Sequence, residues 1–265
     1  MSNSKTLPPI KNYPLYFYRI FAKCLSFFLF GFGSVLLTLI FLPALSPILV
    51  RSPERFKKHG LALISFTWRF FVWFMRIINA AHLHVSAEDK ARFKNMHGKI
   101  IVANHPSLLD VVMLVSLIPN ADCIVNAALA HNIFVRRIVR MLYIINTLDF
   151  MELSERCITS LHAGNCLIIF PEGSRTPRSG HVPLKRGAAR LALSSGCPLL
   201  IVRMAGNDKY GLGKHDPWVS YNHRETYCYE PVIIKEIAPT QYEGLPVPIA
   251  VRKMTADIES ALFPS

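Results

Sequence analysis

Two kinds of apolar pattern divide the chain near Ala81. Before it lie long apolar runs with few charges; after it, short apolar runs alternate with amphipathic ones. From Cys24 to Val50 no residue is charged. That run, broken by Gly31, Gly33, Pro43 and Pro47, exceeds the roughly 20 residues a helix needs to cross a bilayer. It is too long for a cleaved leader, and Pro47 follows the small-x-small site Ala44-x-Ser46. Lys5, Lys11, Arg19 and Lys23 precede it, and Arg51, Arg55, Lys57 and Lys58 follow. With equal basic flanks a re-entrant hairpin fits at least as well as a crossing. In the next run, Leu61 to Ala81, the only charges are Arg69 and Arg76, on one helical face. There they can reach phosphate headgroups while Trp68, Phe71 and Phe74 sink into acyl chains. This favours an interfacial or re-entrant helix over a second span or a core helix.

Beyond Ala81 the period shortens. His82 to Val85 alternates like a strand, and its two imidazoles read as solvent-side residues rather than ligands. Strands are expected at Lys99–Ala103, Cys123–Val125, Ile144–Leu148, Cys166–Phe170, Pro198–Met204 and Tyr227–Ile234. Helices are expected at Leu108–Ile118, Asn132–Tyr143, Ser154–Ala163, Lys185–Ser195 with Gly196 closing it, and Ala250–Leu262; Pro239–Pro248 reads as loop. This alternation argues for an α/β fold, an αβ sandwich. We divide the chain into membrane-associated helices at 1–81 and an α/β domain at 82–265.

Charge and composition narrow the partners. The net charge is +13 and half of the residues are apolar. A basic protein can seek nucleic acid or an anionic bilayer. Nothing here reads as a nucleic-acid module and the basic residues flank apolar segments, so a lipid bilayer is the expected partner. Six cysteines form no C-x-x-C pair and sit mostly in apolar runs, as small core residues of a reducing compartment do. No metal site is expected.

The candidate chemistry lies where strands end. Asn104 to Asp110 reads N-H-P-S-L-L-D between the Lys99–Ala103 strand and the helix after it. Pro106 pushes His105 toward extended backbone, Ser107 can cap the helix, and Asp110 falls in its first turn. His105 can accept a proton from a hydroxyl, with Asp110 fixing its tautomer. The same residues also read as a capping box, Asp110 satisfying backbone N–H groups and His105 an ordinary turn residue. A second strand runs into Pro171 to Thr176, P-E-G-S-R-T. Gly173 permits a tight turn, Glu172 can accept from hydroxyls or fix a cation, and Arg175 offers a planar fork for phosphate. Lys185 and Arg186 open a helix, where charge and backbone N–H groups can meet phosphate together. Two such strand-end loops make one composite site at the carboxyl edge of a sheet.

In combination, N-H-P-S-L-L-D and F-P-E-G-S-R-T, with L-K-R-G-A-A at Leu184 to Ala189, resemble the glycerolipid acyltransferases typified by 1-acylglycerol-3-phosphate acyltransferase. The resemblance implies the αβ sandwich of the glycerol-3-phosphate acyltransferase type and a catalytic pair at His105 and Asp110. It implies acceptor binding by Glu172, Gly173 and Arg175, with Lys185 and Arg186 near the acceptor phosphate or the donor. The donor would be acyl-CoA or acyl-carrier protein, the acceptor a lysophospholipid, with no other cofactor. The place implied is the cytoplasmic face of the inner membrane.

Three features depart from the family. Its second block ends in arginine, whereas Leu142 to Leu148 has none, and Asn126 stands where a lysine is common. Ile201 also replaces the proline of the fourth block. The missing cations favour, as an alternative, an acyl-carrier-protein-dependent enzyme placing an unusual acyl chain on another lipid. A catalytically inactive membrane-surface binding protein is the alternative from another class; the intact H-x4-D and E-G-x-R argue against it.

Overall fold

The computed structural model describes residues 7–41, 43–44, 47, 52–127, 131, 136–146, 149–177 and 182–264. Its first element, α1 (Tyr13–Leu36), begins well before the uncharged run, with Asn12 Oδ1 accepting the Leu15 N–H at 3.0 Å. A π-helical turn, Leu37–Phe41, follows. Most of residues 42–50, and with them the expected hairpin, lie outside the described residues. Helix α2 (Pro53–Ile77) also starts earlier than its apolar stretch, because Ser52 caps it and Pro53 suits a first turn.

The domain that follows is a seven-stranded sheet in the order β1-β7-β6-β2-β5-β3-β4. Its strands are β1 (Ala81–Leu83), β2 (Ile100–Ala103), β3 (Ala121–Asn126), β4 (Ile144–Asn146), β5 (Cys166–Ile169), β6 (Leu199–Gly206) and β7 (Tyr227–Ile237). Every pairing is parallel except that of β6 with β7. Among the described residues six further helices pack around it: α3 (Ala87–Asn95), α4 (Asp110–Leu117), α5 (Arg136–Leu142), α6 (Phe150–His162), α7 (Gly187–Ser195) and α8 (Val247–Leu262).

The central strands are apolar throughout because both faces are covered. From β2, Ile101 and Ala103 face a core shared with α1, α2 and α4, while Ile100 and Val102 face a second core with α6, α7 and α8. The alternation of side chains along one strand thus separates two cores.

Several boundaries differ from expectation. Helix α3 was not expected: it is short and polar, buries only Phe93, and is announced by Ser86, whose hydroxyl accepts the Asp89 N–H. Helix α6 starts at Phe150, ahead of Ser154, after Asp149. Part of the expected loop is 3-10 helix, Pro239–Tyr242. The beginning of the Asn132–Tyr143 helix and the end of the Ile144–Leu148 strand fall outside the described residues.

One lipid-facing assignment is corrected. Phe71 is buried, and Trp68 stacks on Phe30 of α1 at 5.2 Å. Together with Phe56, Leu61, Ile64 and Met75 they pack α2 onto the domain. The exposed face instead carries Phe66, Phe70, Trp73 and Ile77, beside Arg69 and Arg76. On α1 the exposed aromatics are Phe17, Phe21, Phe28 and Phe32. Both helices are long and apolar enough to cross a membrane. Such helices point to membrane association.

Candidate active site

Strands β2 and β5 are neighbours in parallel register, Val102 beside Ile169, so the loops leaving them meet at one sheet edge. The first carries His105. Its Nδ1 lies 2.9 Å from Asp110 Oδ2, and Asp110 is wholly buried at the start of α4. The same oxygen accepts the Ser107 N–H at 2.6 Å, while Oδ1 accepts the Ser107 hydroxyl at 2.8 Å. Asp110 therefore both organises the turn and orients the imidazole, combining the two sequence readings. Ser107 is not the helix cap: α4 begins at Asp110 behind Leu109, and the Ser107 hydroxyl is drawn inward to the carboxylate.

The second loop clamps the first. Glu172 Oε1 accepts the His105 backbone N–H at 2.8 Å and the Thr176 hydroxyl at 2.8 Å. The Thr176 N–H returns to the His105 carbonyl at 2.7 Å. With its backbone held at both ends, the His105 ring also stacks on Phe170 at 4.3 Å. The Glu172 carboxylate is buried, and its Oε2 has no hydrogen-bond partner among the described residues. Glu172 thus stitches the two loops together with one oxygen.

Gly173 closes a turn, its N–H bonded to the Phe170 carbonyl at 3.0 Å, with φ of +70°. Any side chain here would be strained, and a Cβ would meet Lys185 Nζ at 2.5 Å. Lys185 is therefore brought onto the Glu172–Arg175 turn. Arg186 stands exposed at the head of α7, and no contact joins it to that turn among the described residues. Arg175 Nη1 bonds the Leu212 and Gly213 carbonyls at 3.0 and 2.9 Å, leaving the rest of its guanidinium for other partners.

Those carbonyls belong to a segment, 207–226, whose part in the site had no signal in the sequence. The Leu212 carbonyl also accepts the Leu108 N–H, and Lys214 Nζ lies 3.4 Å from Ser174 Oγ. From β7, Tyr229 places its hydroxyl 2.9 Å from Ser107 Oγ. Burial first, and the Asp110 charge next, raise its pKa well above the usual phenol value, against the Ser107 hydrogen bond. Tyr229 is therefore neutral at working pH. Among the described residues no cluster of His, Cys, Asp and Glu could hold a metal ion.

With Nδ1–H held by a carboxylate, His105 is left with Nε2 to accept a proton. The Glu172–Arg175 turn that clamps the His105 backbone carries a half-buried arginine and is met by Lys185 and Lys214, a set suited to an anionic headgroup. Residues 83–205, which include both motif loops and Lys185, match the family described as Acyltransferase. This part of the chain is an acyltransferase domain, and the protein is an O-acyltransferase. Its fold is similar to that of PlsC, the 1-acyl-sn-glycerophosphate (LPA) acyltransferase of Thermotoga maritima. The TM-score is 0.64 at 18% identity, covering 91% of this chain and 98% of that one. No curated protein matches the chain significantly.

Proposed function

We propose that the enzyme moves a fatty acyl group from a thioester, acyl-CoA or acyl-carrier protein, to the hydroxyl of a lysophospholipid. The preferred acceptor is 1-acylglycerol-3-phosphate, giving phosphatidate. The observation that carries this reading is the His105 Nδ1–Asp110 contact at 2.9 Å on a turn whose backbone is fixed by Glu172 and Thr176. Nε2 takes the proton of the acceptor hydroxyl as its oxygen bonds to the thioester carbonyl carbon. The carbon–sulfur bond then breaks, and the thiolate takes that proton from Nε2. Base catalysis of this kind contributes roughly 10²- to 10⁴-fold. No enzyme nucleophile is needed, since the Ser107 hydroxyl is tied to Asp110.

Arg175, Lys185 and Lys214 surround the Gly173–Ser174 corner and suit an acceptor phosphate. They stand in for the two cations that the sequence lacks, at Asn126 and at the end of its second block. Arg186, at the head of α7, extends the same basic surface. The exposed aromatic faces of α1 and α2 lie in the lipid interface, at the cytoplasmic face of the inner membrane. Both substrates reach the site there: the lipid from the bilayer, the thioester from the cytoplasm.

The test offers acyl-CoA or acyl-carrier protein with lysophosphatidate to the detergent-purified enzyme, following thiol release and lipid product. Phosphatidate from the wild type, reduced roughly 10²- to 10⁴-fold in His105→Ala, is the expected result. Thiol release only with other lipid acceptors would replace the acceptor. Activity that survives in His105→Ala would overturn the mechanism.

A further inference from the structure

Behind the His105–Asp110 pair lies a buried cation. Lys209, only 5% exposed, sets its Nζ 4.7 Å from the centre of the Tyr229 ring and donates to the Asn207 carbonyl. The Tyr229 hydroxyl is hydrogen-bonded to Ser107, and the Ser107 hydroxyl to Asp110 Oδ1. A serine hydroxyl has one hydrogen, and here it goes to the carboxylate, so Tyr229 is the donor to Ser107. The chain therefore points one way, from the ring under the lysine to the carboxylate that orients His105. A cation on the ring face makes the phenol a better donor and reinforces every bond after it.

The charge balance explains why such a chain is useful. A fully buried carboxylate needs hydrogen bonds and an opposite charge nearby. If protonated His105 supplied that charge, the imidazole could not act as a base. We propose that Lys209 and Tyr229 are a positioning pair that compensates the Asp110 carboxylate from behind, so that His105 Nε2 is left free to act as the base. The inference rests on the catalytic roles given above to His105 and Asp110.

The surroundings of both groups agree. Lys209 faces Asp110 of α4, Asp208 of its own loop, and Cys228 and Glu230 of β7. Asp208 and Glu230 are exposed and screened by solvent, so Asp110 is the buried anion among them. Burial lowers the Lys209 pKa, and the Asp110 charge heads the influences that hold it up. His105 is faced by Asp110 at Nδ1 and, through its backbone N–H, by Glu172.

The test is the pH dependence of kcat/KM for Lys209→Gln, Lys209→Arg and Tyr229→Phe beside wild type. Loss of the cation favours the imidazolium, so the acid limb should move up by roughly one pH unit in Lys209→Gln. Tyr229→Phe should move it the same way by less, and Lys209→Arg should leave it in place. A purely structural role would lower activity at every pH without moving the limb. An unmoved limb in folded Lys209→Gln overturns the proposal; should that variant not fold, an unmoved limb in Tyr229→Phe does so. Activity surviving in His105→Ala would instead sink the catalytic assignment itself.

Discussion

Asp110 gathers three donors on a carboxylate with no exposure: the Ser107 N–H, the Ser107 hydroxyl and His105 Nδ1. Sequence spacing alone could not separate capping from orientation, because one side chain does both. Burial decides reactivity elsewhere too. It pushes the Cys157 thiol up to about 12 and the Cys166 thiol up to about 11, and raises Cys123. Thiolate, the reacting form, grows only as pH approaches those values, so at pH 8 roughly one Cys166 in 10³ is ionised. Iodoacetamide at pH 8 should therefore label half-buried Cys197 in the folded protein and Cys123, Cys157 and Cys166 only after denaturation. Peptide mapping by mass spectrometry reads this directly; prompt native labelling of Cys166 would contradict it.

At the scale of elements, the segment 207–226 fastens α1 to the site. Lys23 of α1 points its buried ammonium at the carbonyls of Gly211 at 3.4 Å, Ser220 at 2.6 Å and Trp218. The next carbonyls, of Leu212 and Gly213, hold Arg175. Lys23→Met strands buried acceptors, each costing about 1–3 kcal/mol, so the variant should unfold at lower denaturant and lose activity together. Unchanged stability would mean that the lysine is not an anchor. None of this was legible beforehand: Asn207 to Asp216 shows turn residues, but not which loop they cover. Helix α3 was missed for a related reason, since a polar helix with one buried residue has no apolar stripe to read. Strands β2 and β5, by contrast, were legible because both of their faces are buried.

Over the whole molecule, the alternation of strand and helix gave the layered α/β architecture, and the two motif loops met at one sheet edge as their positions after β2 and β5 required. The face of α2 could not be read the same way. Its apolar residues run all around the helix, so periodicity did not distinguish the side that packs on protein from the side that faces outward. The exposed set, Phe66, Phe70 and Trp73, is now specific enough to test. Changing all three to Ser should cut binding to vesicles by at least tenfold while leaving thermal stability in detergent within a few degrees. With a net charge of +13, anionic vesicles should hold the protein better than neutral ones, and salt should narrow the difference. Full vesicle binding by the triple variant would mean that another surface meets the lipid.

The central claim is that His105 and Asp110 act as one unit. The measurement that tests it most directly is kcat/KM for His105→Ala, Asp110→Asn and the double variant with the same thioester and acceptor. Groups acting together are strongly non-additive, so the double variant should be no slower than His105→Ala within about threefold. Losses that multiply would show two independent contributions and contradict the account.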